Sequence, residues 1–164
     1  GIFIVLVVCG VCFFLLKKDS SLEKGKILNI KETTVGDLPS FRTVILGDYT
    51  GLFVNGDVEK IKAYEFDATI DNGWSVETDQ YVGIRVKDAF EYLSIDNYSQ
   101  VVFQSSGLVS VVYEHSEITN DTFFVIKKNG ELISDDVLNV VSFDKNYNYN
   151  VEDLFSIKVT KEEA

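Results

Sequence analysis

Tyr81-Val82-Gly83-Ile84-Arg85-Val86-Lys87-Asp88-Ala89-Phe90-Glu91-Tyr92-Leu93 changes its hydrophobic period part-way along. It begins as an alternating, strand-like run. Val86, Ala89, Phe90 and Leu93 then recur at helical spacing, which puts all four on one face of a short amphipathic helix. Lys87, Asp88 and Glu91 fall on the opposite, wet face. Gly83 stands just before the switch, where a backbone turn without a Cβ is easiest to make. The chain on either side reads as strand and turn, so the helix is expected to plug one side of a β-rich core.

Outward from this stretch, from Phe41 onward, short runs rich in Val, Ile, Phe and Tyr predict strands. These are Val44–Leu46, Leu52–Asn55, Ala63–Ile70, Val101–Gln104, Leu108–Glu114, Phe123–Lys127, Val137–Phe143 and Phe155–Thr160. Turn signals separate them, among them Asn55-Gly56-Asp57, Asp71-Asn72-Gly73 and Asn129-Gly130. Asn129-Gly130 has the chemistry of a tight hairpin, with both residues at positive φ. A second short helical turn is expected near Val151–Leu154. The reading is an α+β domain, a β-rich mixed sheet or barrel with one or two short helices, over residues 41–161.

Ahead of it, residues 1–18 read as a single N-terminal membrane anchor whose first residues precede Gly1. Gly1–Leu16 is apolar and closes on Lys17-Lys18, somewhat short of the roughly 20 residues of a full span. No small-residue cleavage site follows, so an uncleaved anchor is expected. The polar stretch 19–40 reads as a solvated stalk. Cys9 and Cys12 have C-x-x-C spacing, but hydrocarbon raises a thiol pKa, and the chain supplies no other cysteine and a single histidine. The expected location is the cell membrane, with the domain extracytoplasmic.

The 164 residues suffice for one sizeable core, and with 46% hydrophobic and 13% aromatic content the chain is too apolar to be disordered. Setting Lys17 and Lys18 aside turns the net charge of −11 into −13. Such a surface repels phosphate backbones, which excludes nucleic acid as a partner.

Read in order, Leu52-Phe53-Val54-Asn55-Gly56-Asp57-Val58, the Tyr81–Phe90 stretch, Val101-Val102-Phe103-Gln104-Ser105-Ser106-Gly107, Phe123–Leu132 and Asp153-Leu154-Phe155-Ser156-Ile157-Lys158-Val159 resemble successive segments of the molybdopterin-binding domain of the sulfite oxidase family. The resemblance implies that family's β-rich fold and a molybdopterin cofactor. It also implies a metal-ligating cysteine ahead of the Gly-Ile segment, yet Phe66–Gln80 contains none. Arg42 and Arg85 are the only arginines available to grip a pterin phosphate, and Ser106 replaces the family's Asp. The expectation is a retained fold without the metal site. No cofactor is expected, and molybdopterin enters by resemblance only.

His115, the single histidine, lies between Glu114 and Glu117, where a carboxylate could tune it for proton transfer. The plainer reading is a surface histidine at a strand end, since no nucleophile stands beside it. Tyr147-Asn148-Tyr149-Asn150 has the composition of a recognition loop. Its plainer reading is a polar turn whose tyrosines rest on the sheet. Trp74 is either a binding platform or a core anchor. Glu131, Asp135 and Asp136 lack the order of a calcium loop and read as a solvated face. Trp74, Arg85, His115, Tyr147 and Tyr149 are therefore the candidate ligand-binding residues. The function expected is binding of a small ligand or protein without catalysis, and the alternative is a molybdopterin-dependent oxidoreductase subunit.

Overall fold

Alternation of large apolar and polar residues decides the architecture. In the computed structural model, which describes residues 27–71 and 74–164, it produces a mixed β-sheet with two short helices. The expected anchor, both cysteines and the first part of the stalk lie outside the described residues. Strands β1 (Ile27–Thr33), β4 (Ala63–Asp71), β5 (Val76–Arg85), β8 (Thr122–Lys128) and β10 (Leu138–Ser142) are neighbours in that order and end on β11 (Val151–Thr160). Farther along, β11 pairs with β2 (Arg42–Gly47) in parallel, and β2 pairs with β3 (Gly51–Val54). The other edge of β11 takes β6 (Gln100–Ser105) and then β7 (Ser110–Glu114). One ten-residue strand thus pairs with β10, β2 and β6, and the larger hydrophobic core includes residues of all four strands.

Helix α1 (Asn55–Val58) is a single turn, held at its start by the Val54 N–H donating to Asp57 Oδ2 at 2.9 Å. Helix α2 (Val86–Tyr92) forms where the period changes. Val86, Ala89 and Phe90 are buried, and Leu93 packs half-buried against the same core. Lys87 and Glu91 are exposed as expected. Asp88 departs from its expected place: its Oδ2 is buried without a hydrogen-bond partner, and burial pushes its carboxyl above the ordinary range.

Gly83 makes no turn. It lies within β5 at a register shift against β8, and a Cβ there would sit 2.6 Å from the Phe124 carbonyl oxygen. Close approach of two backbones, rather than positive φ, requires the glycine.

Asn129-Gly130 forms the expected hairpin, with φ of 52° and 83°, between β8 and β9 (Glu131–Leu132). Residues 27–33, expected in the stalk, instead form β1 against β4. Lys31–Glu65 at 2.7 Å and Lys62–Glu32 at 2.8 Å tie this strand down, which explains its polar composition as an ion-paired edge. The helical turn expected at Val151–Leu154 is the start of β11, and the turn lies just before it at Tyr147–Tyr149. Val151, Leu154, Ile157 and Val159 are buried there in a strand with three strand partners, and this packing overrides the local helical signal.

A second, smaller cluster occupies the opposite face of the β4–β5–β8–β10 sheet. Phe66, Tyr81, Phe123 and Phe143 meet there at centroid separations of 4.5–6.0 Å. Successive side chains point to opposite faces of a strand, so Phe123 and Val125 serve this cluster while Phe124 and Ile126 serve the main core. That double duty explains why Phe123–Ile126 is continuously apolar.

Candidate functional site

The alternation that places Tyr81 in the aromatic cluster places Asp79 and Glu77 above it on the same face of β5. These three line a cleft of about 470 Å³. Ile70 of β4 faces them from one side; Glu131, Leu132 and Ile133 come from the β9 segment, and Asn139 to Val141 from β10. Glu152 of β11 completes the rim. Ile70, Leu132, Ile133 and Val141 supply its apolar lining, and four carboxylates stand against one cation, Lys128.

Lys128 is already engaged, with Nζ 3.2 Å from Asp79 Oδ2. Asn129 Nδ2 donates to Asp79 Oδ1 at 2.8 Å. That hydrogen bond, assisted by Lys128, holds the Asp79 carboxyl below the usual carboxylate range although partial burial opposes it. Tyr81 is 3% exposed. Burial, reinforced by the charges of Asp79 and Glu77, raises its phenol well above the ordinary tyrosine value. Its hydroxyl has no hydrogen-bond partner among the described residues and is not sealed from the cleft.

The five residues singled out from sequence lie elsewhere. Trp74 sits in the β4–β5 connection, 97% exposed. Arg85 is at the far end of β5, where its Nε donates to the Asn120 carbonyl at 3.1 Å and its guanidinium lies 4.4 Å over the Tyr64 ring. His115 opens a one-turn helix at His115–Glu117 and stacks on Tyr98 at 4.5 Å. The Ser99 hydroxyl beside it donates to the carbonyls of Thr160 and Lys161. Tyr147 is half exposed, and Tyr149 donates to Glu117 Oε1 at 2.9 Å.

The last bond joins the His115 turn to the Tyr147–Tyr149 turn, so two of the expected features are neighbours. Glu117 also accepts from the Glu114 N–H at 2.8 Å, and these bonds lower its carboxyl and raise the Tyr149 phenol. Each partner is satisfied internally, which makes this a clamp between turns. Trp74 and Arg85 stand apart, at opposite ends of a ten-residue strand.

Glu77, Asp79, Tyr81 and Glu152 went unread as site residues. The signal was present in Val76-Glu77-Thr78-Asp79-Gln80-Tyr81, a period-2 run with two carboxylates and a tyrosine on one face. Polar residues on both faces of its first half disguised it as loop.

No family model matches the chain, and no curated protein matches it. Among the described residues, no group of three or more His, Cys, Asp or Glu side chains could hold a metal ion. No described helix is long and apolar enough to cross a membrane.

Proposed function

We propose that this chain is a membrane-tethered, extracytoplasmic binding domain, and that the cleft between β5 and β11 receives its ligand, a small molecule or a segment of a partner protein. The carrying observation is the make-up of the cleft: apolar side chains from three strands beside a set of convergent carboxylates, in a volume in the range of ligand sites. The apolar run closing on Lys17-Lys18 supports the tether.

The order of the motif segments from Leu52 to Val159, on a mixed sheet with one helix after β5, supports a sulfite-oxidase-like fold. A molybdopterin does not fit this cleft. No cysteine follows Cys12 to supply a thiolate, and the cleft's one cation is committed to Asp79 within an acidic rim that repels phosphate.

Backbone amide resonances of the full chain, titrated with cationic, neutral and anionic small probes, test the reading. Saturable shifts at Glu77, Asp79, Tyr81 and Val141 are expected for at least one class. Shifts confined to the His115 or Tyr147 turns would overturn it, as would stoichiometric molybdenum in protein expressed in a cofactor-competent host.

A further inference from the structure

Within the cleft, the Tyr81 hydroxyl is the open end of a buried side chain and bonds to no described residue. The Tyr81 ring is enclosed by Phe66 and Phe143, with centroids at 5.9 and 5.0 Å, so phenylalanine would pack there equally well. The fold does not use this oxygen, so it stands available to accept a hydrogen bond from whatever fills the cleft. Glu77 and Asp79 share its strand face, and Glu131 and Glu152 stand on the other wall. The internal occupant, the Lys128 ammonium at Asp79, already displays the chemistry the cleft accommodates.

We propose that the cleft takes an aliphatic cation, a protonated primary amine on a hydrocarbon stem, supplied by a linear polyamine or by a lysine side chain of a polypeptide. This rests on the reading of the cleft as the binding site. An ammonium has three donors and no acceptor. The Tyr81 oxygen and the carboxylates of Glu77 and Asp79 offer acceptors from one strand face, and the stem lies along Leu132, Ile133 and Val141. Glu131 and Glu152 meet a second positive centre. Because the Tyr81 ring is enclosed, the site offers its oxygen rather than an aromatic face. It therefore selects an N–H donor over a quaternary ammonium, which needs a ring face.

The test is calorimetric titration of the full chain at about 0.15 M salt, where diffuse attraction to the acidic surface is screened. The probes are spermidine, acetyl-Ala-Lys-Ala-amide, fully N-methylated spermidine and inorganic phosphate. Saturable binding of spermidine or of the lysine peptide is expected, and the tighter of the two identifies the source. Glu77→Gln and Tyr81→Phe should each weaken that binding about fivefold or more, as expected for loss of a hydrogen bond to a charged group. Lys128→Met should tighten it by removing the internal competitor, whereas Glu162→Gln with Glu163→Gln, outside the cleft, should leave it unchanged.

Equal binding of the methylated probe would overturn the proposal. So would an unchanged affinity in Tyr81→Phe, or equal weakening by the remote pair. In the amide titration, cleft shifts with anionic or neutral probes but none with cationic ones would sink the cation and leave the binding site standing. Silence from every probe would sink both.

Discussion

Two tyrosines are buried to nearly the same degree, Tyr113 in the main core and Tyr81 in the aromatic cluster, at 0% and 3% exposure. Tyr113 donates to the Tyr149 carbonyl at 2.6 Å, and its ring packs edge-on against Phe103. Tyr81 has comparable ring packing but no bond for its oxygen. The first hydroxyl closes the fold by fixing the turn before β11. The second faces an open cleft among carboxylates, and the fold gains nothing from it. A buried polar atom that is satisfied argues for architecture, and an unbonded one that opens on a cleft argues for a ligand.

The strongest way to break the comparison is to empty each region in turn. Phe66→Ala in the aromatic cluster and Phe90→Ala under α2 should each cost about 3–5 kcal/mol, since both side chains are at most 2% exposed. Urea denaturation measures both. Only Phe66→Ala should also loosen the cleft, because its ring supports Tyr81 at 5.9 Å. If Phe90→Ala disturbed the cleft resonances equally, the two regions would be one packing unit.

Tyr113→Phe comes next. It leaves the Tyr149 carbonyl unpaired, and the expected loss is about 1–3 kcal/mol. A loss below about 0.5 kcal/mol would show that water takes over the bond and that the two tyrosines do not differ as described.

The main-core region was the readable one. The switch of period at Val86, the hairpin at Asn129-Gly130 and most strand cores follow from local chemistry, and each stands within a residue or two of its predicted place. The strand at 27–33 was hidden because its partners are charges on β4, and ion pairing leaves no hydrophobic alternation. The cleft was hidden for a related reason. Its residues come from six strands, so only the folded sheet assembles them.

A smaller effect separates two aspartates by sign. Asp79 is held below its ordinary range by Asn129 and then Lys128, so its folded value lies beneath the unfolded value of about 3.9. Its contribution is fully present above the unfolded value and is lost as pH falls through the folded one. Asp88 is raised by burial, so its ionised form is penalised, and acidification through its folded value restores stability. Melting temperature followed from pH 6 downward should therefore fall less steeply in Asp79→Asn than in the parent chain, and more steeply in Asp88→Asn. Parallel curves would mean that neither carboxyl differs between the folded and unfolded states.

The smallest expected effect on stability is the most discriminating. Tyr81→Phe removes a hydroxyl that has no partner among the described residues and keeps a ring enclosed by Phe66 and Phe143. Loss of a satisfied hydrogen bond would cost about 1 kcal/mol, whereas deleting a hydroxyl that the chain leaves unbonded and open to the cleft is close to neutral. Denaturation should place Tyr81→Phe within about 0.5 kcal/mol of the parent, on either side. Set against Tyr113→Phe, the same atomic deletion at the same burial then gives two different answers, and the difference is the partner. Should Tyr81→Phe prove as costly as Tyr113→Phe, the Tyr81 oxygen is bonded within the folded chain in solution. The cleft would then have lost its reason to seek a donor from outside.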